Sequence, residues 1–164
     1  MKDGKKTNSP EAGWRYAVRL LTVRARSARE LKDRLLERGF SQSVSAQVVR
    51  RLKRCGLVND RELAESVVRW ALEDHRPHSR REVEQKLTNL GVDPSLSADV
   101  LSVWDEETEV RMAVAYLTKR LGKRRDFSSS EKARAFRAAL QKGFSFSSLH
   151  DAFRRMGWSI FEDQ

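Results

Sequence analysis

The segment Ser27-Ala28-Arg29-Glu30-Leu31-Lys32-Asp33-Arg34-Leu35-Leu36-Glu37-Arg38-Gly39-Phe40 decides the fold. Ser27 is placed to cap the free amides of a helix start, and Glu30 three residues on reaches back toward the cap amide. Leu31 and Leu35, four apart, share one face of that helix. Gly39 fits a left-handed C-cap, and the apolar Phe40 after it packs back on the last turn. The same punctuation returns at Ser79-Arg80-Arg81-Glu82 and Gly91-Val92, and again at Gly143-Phe144. Gly39, Gly91 and Gly143 are separated by 52 residues and again by 52. The third matching helix opens at the Ser128–Ser130 cluster, with Ser128-x-x-Glu131 as its capping box and its register slipped by three.

Working outward from this period, the rest of the chain also reads as helix. Val110, Val114, Leu117 and Leu121 form one apolar row, and Leu149, Ala152, Phe153 and Met156 form another. Each period holds three helices. The first set runs over 14–24, 27–38 and 43–54, with Leu31, Leu35, Val44, Val48 and Leu52 facing inward. The second runs over 60–74, 80–89 and 94–104, opened by Asn59 as N-cap and Pro94 in a first turn. The third runs over 106–121, 129–142 and 147–155. The predicted fold is all-α: tandem three-helix repeats in three modules, elongated and curved because units this small stack on one another. The expected boundaries are a flexible basic tail at 1–13 and modules at 14–57, 58–104 and 105–164.

Composition narrows the function. Of 164 residues, 39% are hydrophobic and 34% charged, and the net charge is +10. Residues 1–57 carry 15 basic and 5 acidic side chains, residues 58–104 carry 6 and 9, and residues 105–164 carry 12 and 9. A basic surface concentrates polyanions, so nucleic acid or a nucleoprotein is the expected class of partner. The longest uncharged stretch, Gly39 to Val49, is too short to span a bilayer, and the polar start carries no apolar signal region. A soluble cytoplasmic protein with no membrane partner is expected. Cys55 is the lone cysteine, so no disulfide is expected within the chain.

The inventory for catalysis is thin. The sequence has no Gly-rich phosphate loop, no nucleophile elbow and no Cys/His set with zinc spacing, so neither an enzyme nor a cofactor is expected. His75-x-x-His78 flanks Pro77 in a polar connector and reads as exposed loop histidines rather than a metal site. Basic clusters are the positive signal: Arg24, Arg26 and Arg29 at the first interhelical turn, Arg50, Arg51 and Arg54 along one helix, and Lys123-Arg124-Arg125 in a connector. Arg50, Arg51 and Arg54 end a helix, where its dipole favours cations with or without a partner. Arg80 and Arg81 open one, where the dipole disfavours them, and an anion from outside would explain them. Trp14, Trp104 and Trp158 read as packing residues, whereas Trp70 beside Arg69 could meet a nucleotide base or a partner's side chain.

The run Gly56-Leu57-Val58-Asn59-Asp60-Arg61-Glu62-Leu63-Ala64-Glu65-Ser66-Val67-Val68-Arg69, continuing to Lys86-Leu87-Thr88-Asn89-Leu90-Gly91-Val92, resembles the central signature of the RecX regulatory proteins. Ala17-Val18-Arg19-Leu20-Leu21 with Ser27-x-x-Glu30-Leu31-x-x-x-Leu35-x-x-x-Gly39-Phe40 is similar to that family's first repeat. The chain departs from the family pattern at Leu63, at Ala71 and over His78 to Glu82. The resemblance implies tandem three-helix repeats and a bacterial regulator that is not an enzyme. It implies binding to the RecA recombinase filament on single-stranded DNA, which restrains filament growth, ATP hydrolysis and strand exchange. A monomer is expected, with direct contact to single-stranded DNA left open. The competing class is a stand-alone basic helical DNA-binding protein, set apart by steep salt dependence and indifference to RecA.

Overall fold

The structure, a computed structural model, describes residues 8–122 and 126–158. Among the described residues it holds nine α-helices, one 3-10 turn and no strand. The helices are α1 (Pro10–Val23), α2 (Ala28–Glu37), α3 (Gln42–Arg54), α4 (Asp60–Glu73), α5 (Arg80–Asn89), α6 (Pro94–Val100), α7 (Glu106–Leu121), α8 (Ser129–Lys142) and α9 (Phe146–Arg155). Their starts are written locally. The side chains of Ser9, Ser27, Ser41, Asp105, Ser128 and Ser145 each accept the amide three residues on. Asn59 does the same for α4, accepting from the Arg61 and Glu62 amides.

Two helix boundaries differ from the sequence reading by more than one residue. Residues 10–13, read as tail, form the first turn of α1, with Ser9 as cap and Pro10 at its start. Gly13 looks like a breaker but is buried in a helix crossing: a Cβ there would lie 3.1 Å from Val48 and 3.5 Å from Leu35 and Val44. The helix expected over 94–104 stops at Val100 and tightens into a 3-10 turn, Leu101–Val103.

The chain divides into two compact units, Met1–Ser66 with Leu87–Ser97 and Val67–Lys86 with Ala98–Gln164. In the first, α1, α2 and α3 pack on one another and bury Ala17, Leu31, Leu35, Val48 and Leu52 completely or nearly so. In the second, α7, α8 and α9 pack together over Val110, Ala113, Leu117, Ala139, Leu149 and Ala152. Phe153 stands edge-on to both Phe136 and Trp158 at ring separations of 5.2 and 5.3 Å.

Each unit contains the same tertiary joint. In the first, buried Ser27 donates its hydroxyl to the Leu90 carbonyl while its oxygen accepts the Glu30 amide at 3.0 Å. In the second, buried Ser79 donates to the Lys142 carbonyl at 2.9 Å and accepts the Glu82 amide at 3.2 Å. Both cross-repeat bonds span 63 residues. Each accepting carbonyl precedes a left-handed glycine, Gly91 at φ +75° and Gly143 at φ +102°. A Cβ on Gly91 would lie 3.1 Å from the Arg29 side chain, and one on Gly143 would lie 2.8 Å from Ser79 Oγ. The first amide of each capped helix finds a carboxylate: Ala28 donates to Asp60 at 2.8 Å, and Arg80 to Glu109 at 2.9 Å.

Glu30 and Glu82, expected to reach back to the cap amides, pair with cations instead. Glu30 binds Arg24 at 2.5 Å and also Arg26, while Glu82 meets Lys142 at 2.7 Å and His78 at 3.2 Å. Burial raises the Glu82 pKa, and the Lys142 ammonium together with His78 more than offsets it, leaving the carboxyl below its usual range.

The three period-marking glycines should therefore respond differently to a methyl group. Gly39 has φ +94° and no described atom within 4 Å of a built Cβ, so Gly39→Ala should cost only the left-handed backbone, about 1 to 2 kcal/mol. Gly143→Ala should cost at least about 1 kcal/mol more, because the Ser79 hydrogen bond must open as well. Urea unfolding midpoints of the two variants measure the difference; equal losses would mean that the joint is not under packing constraint.

Candidate interaction surface

In the first unit the close α1–α3 crossing at Gly13 sets Trp14 beside Arg51, whose guanidinium carbon lies 4.2 Å from the ring centroid. Arg50 and Arg54 are one helical turn apart on the exposed face of α3 and make no ion pair among the described residues. The three-arginine cluster is thus divided: Arg51 covers a tryptophan, and Arg50 and Arg54 face solvent. Arg26 belongs to the fold, its side chain only 11% exposed, with Nε donating to the Leu20 carbonyl at 3.3 Å and the guanidinium on Glu30. Arg24 joins the same carboxylate and donates to the Ala25 carbonyl at 3.0 Å. Arg29 is exposed, its stem laid against Gly91.

In the second unit Arg80 and Arg81 line an open cleft of about 480 Å³ with Glu84, Asp105, Glu106 and Ser145. The helix start at Arg80 needs no anion from outside, which corrects the sequence argument for this pair. Glu109, buried at 7% exposure, supplies the charge: one carboxylate oxygen accepts the Arg80 amide and the Trp104 indole N–H, the latter at 2.6 Å. The Arg80 guanidinium donates to the Trp104 carbonyl at 2.7 Å, so it too is partly a fold residue. Burial raises the Glu109 pKa, opposed by the Arg80 amide, the Trp104 indole and the Arg80 charge. With acidic side chains facing the arginines, the cleft is not a concentrated positive site.

Trp70 is 42% exposed, but Lys86 Nζ sits 3.5 Å over its ring centroid and the His78 ring lies 4.7 Å away. His78 is not an exposed loop histidine. It is buried between Asp74, at 2.8 Å from Nε2, and Glu82, at 3.2 Å from Nδ1. The legible signal was the spacing of four on each side, Asp74-x3-His78-x3-Glu82, which straddles the connector between α4 and α5. Arg69 is exposed and makes no ion pair among the described residues. Lys123, Arg124 and Arg125 lie outside the described residues. Of the predicted contacts, Arg29, Arg50, Arg54, Arg69 and Arg81 therefore have guanidinium groups uncommitted to any described carboxylate.

Glu109→Ala leaves the buried Trp104 N–H and the Arg80 amide without an acceptor and should lower stability by about 2 to 4 kcal/mol. Glu109→Gln, which keeps one acceptor oxygen, should lose less than half of that. The folded pKa of Glu109 is raised above its unfolded value, so wild type loses stability as pH rises through the window above 4.5 while the glutamine variant does not. The deficit of Glu109→Gln should hence shrink between pH 4 and pH 7, read as about the spacing of two thermal melting curves.

A sequence model described as RecX, first three-helix domain, matches residues 14–52. The regulatory protein RecX of Legionella pneumophila strain Corby is 31% identical over 140 residues, covering 85% of this chain and 91% of its own length. That of Amycolatopsis mediterranei is 38% identical over 105 residues, covering 63% of this chain, and the match spans 58% of that relative. Among solved structures, RecX from Lactobacillus salivarius superposes with a TM-score of 0.80 at 20% identity, over 90% of this chain and 96% of that one, which establishes the shared fold. With the helical repeats already in place and a relative matched over nearly its whole length, the chain belongs to the RecX family.

Proposed function

We propose that the chain is a RecX-type regulator that binds the RecA recombinase filament on single-stranded DNA and restrains its extension, ATP hydrolysis and strand exchange. Family membership over 85% of the chain carries this reading. The surface supports it: Arg29, Arg50 and Arg54 in the first unit and Arg69 and Arg81 in the second present charge that the fold leaves uncommitted. Such side chains recognise phosphate or carboxylate through charge-assisted hydrogen bonds. Inhibition by this route needs occupancy of the filament and no chemistry. The segments 14–57, 58–104 and 105–164 are the modules of the array on this reading, joined by the repeated serine contacts.

Substoichiometric protein added to preformed RecA filaments should slow ATP hydrolysis. Arg50→Glu with Arg54→Glu, its fold confirmed by circular dichroism, should require at least about tenfold more protein for the same effect. Normal hydrolysis at equal concentrations would reject the proposal, and an unchanged requirement would remove Arg50 and Arg54 from the surface. DNA binding that ignores RecA and weakens steeply with salt would favour the stand-alone DNA-binding class.

A further inference from the structure

Two of the three period-marking glycine turns are covered in the same way, by a serine-capped helix start that donates to the preceding carbonyl and lays an arginine stem on the glycine. In both, a carboxylate from the first turn of another helix, Asp60 or Glu109, faces the start of the incoming helix. The turn at Arg38-Gly39 offers the same three parts. Gly39 is exposed with no described atom within 4 Å of a built Cβ, and the Arg38 carbonyl accepts no hydrogen bond among the described residues. Glu11 stands exposed in the first turn of α1. Asn8 accepts the Ser41 amide at 2.8 Å, which holds the approach to α1 against this turn.

We propose that this turn is a docking socket for the Ser128 end of α8 from a second copy of the chain. Ser128 is the counterpart of Ser27 and Ser79: it caps the central helix of the third set, accepting the Glu131 amide at 3.3 Å, and it is exposed. Among the described residues, Gly39 is thus the one period-marking turn left uncovered and Ser128 the one central-helix cap left undocked, complementary because the same serine-to-carbonyl contact is made twice within the chain; Ser130 stands where Arg29 and Arg81 lay their stems on the glycines. Docking has a competitor. Ser128 also donates to the Glu131 carboxylate at 3.0 Å, and that carboxylate accepts the Ser128 amide at 2.9 Å, so the capping box must open for the hydroxyl to reach the Arg38 carbonyl. A small contact that must first break a local one is weak, with a Kd of about 10 to 100 µM. Because socket and cap are different surfaces, the contact we propose is head-to-tail, each copy offering its socket to the next, so that it builds an open chain or a ring larger than two.

Sedimentation velocity from low to high micromolar concentration tests this, at an ionic strength near 0.15 M where the Debye length is about 8 Å and self-repulsion is short-ranged. Gly39→Asn keeps a residue that tolerates the left-handed C-cap but fills the socket. Ser128→Asp keeps a good N-cap but removes the donated proton and sets a charge against Glu11. The expected result is concentration-dependent growth of wild type past the dimer, a monomer for each variant alone, and a dimer and nothing larger in their equimolar mixture. Glu11→Lys, which touches neither cap, should also weaken association and serves as the socket variant if Gly39→Asn is unfolded. A wild type that stays monomeric, association untouched by these variants, or a mixture that stays monomeric would each overturn the proposal.

Discussion

Helix ends present amides and carbonyls without intrahelical partners, and burying them in a helical array requires that each be answered. In this chain one serine hydroxyl answers two at once. Ser27 and Ser79 accept an amide of the helix they begin and donate to the carbonyl that ends a helix of the following repeat. The geometry needs the accepting turn to be left-handed and bare, which glycine alone provides without steric cost. A local cap and a tertiary contact therefore constrain the same few atoms, and that shared constraint accounts for the pairing of Ser27 with Gly91 and of Ser79 with Gly143 at one period.

The joints also sort the basic residues. Arg24 and Arg26 are held on Glu30 beside one joint, and Arg80 is tied to Trp104 beside the other. Cations that neutralise Glu30 and Glu82 keep those carboxylates from closing on their own helix starts, which leaves the serine hydroxyl free to bridge. Arg50, Arg54 and Arg69 make no such contact among the described residues, and on the proposed reading they are the ones available to an acidic partner. Net charge alone could not separate these groups, since the same side-chain type serves both ends.

The period, the helix starts and the C-cap glycines were legible because capping is a local code of four or five residues. What was not legible depends on long-range contact. Nothing near Ser27 announces that Leu90 lies against it. Nothing near Glu109 sets it apart from the other acids in the first turn of α7, though it carries the charge at the start of α5. His78 read as a loop residue because Pro77 precedes it, yet Asp74 and Glu82 enclose it. Gly13 was placed in the tail over 1–13, whereas it sits in a helix crossing that needs a missing side chain. The arginine clusters carried the expectation of an acidic partner but did not reveal which members the fold itself holds.

The double duty of the joint serines is tested most directly by comparing them with an ordinary cap. Ser41 caps α3 from an exposed position and accepts the Val44 amide at 3.3 Å, so Ser41→Ala should cost about 1 kcal/mol in equilibrium unfolding. Ser27→Ala and Ser79→Ala should each cost about 2 to 3 kcal/mol, since a partly buried carbonyl loses its donor along with the cap. Equal losses at all three positions would contradict the account.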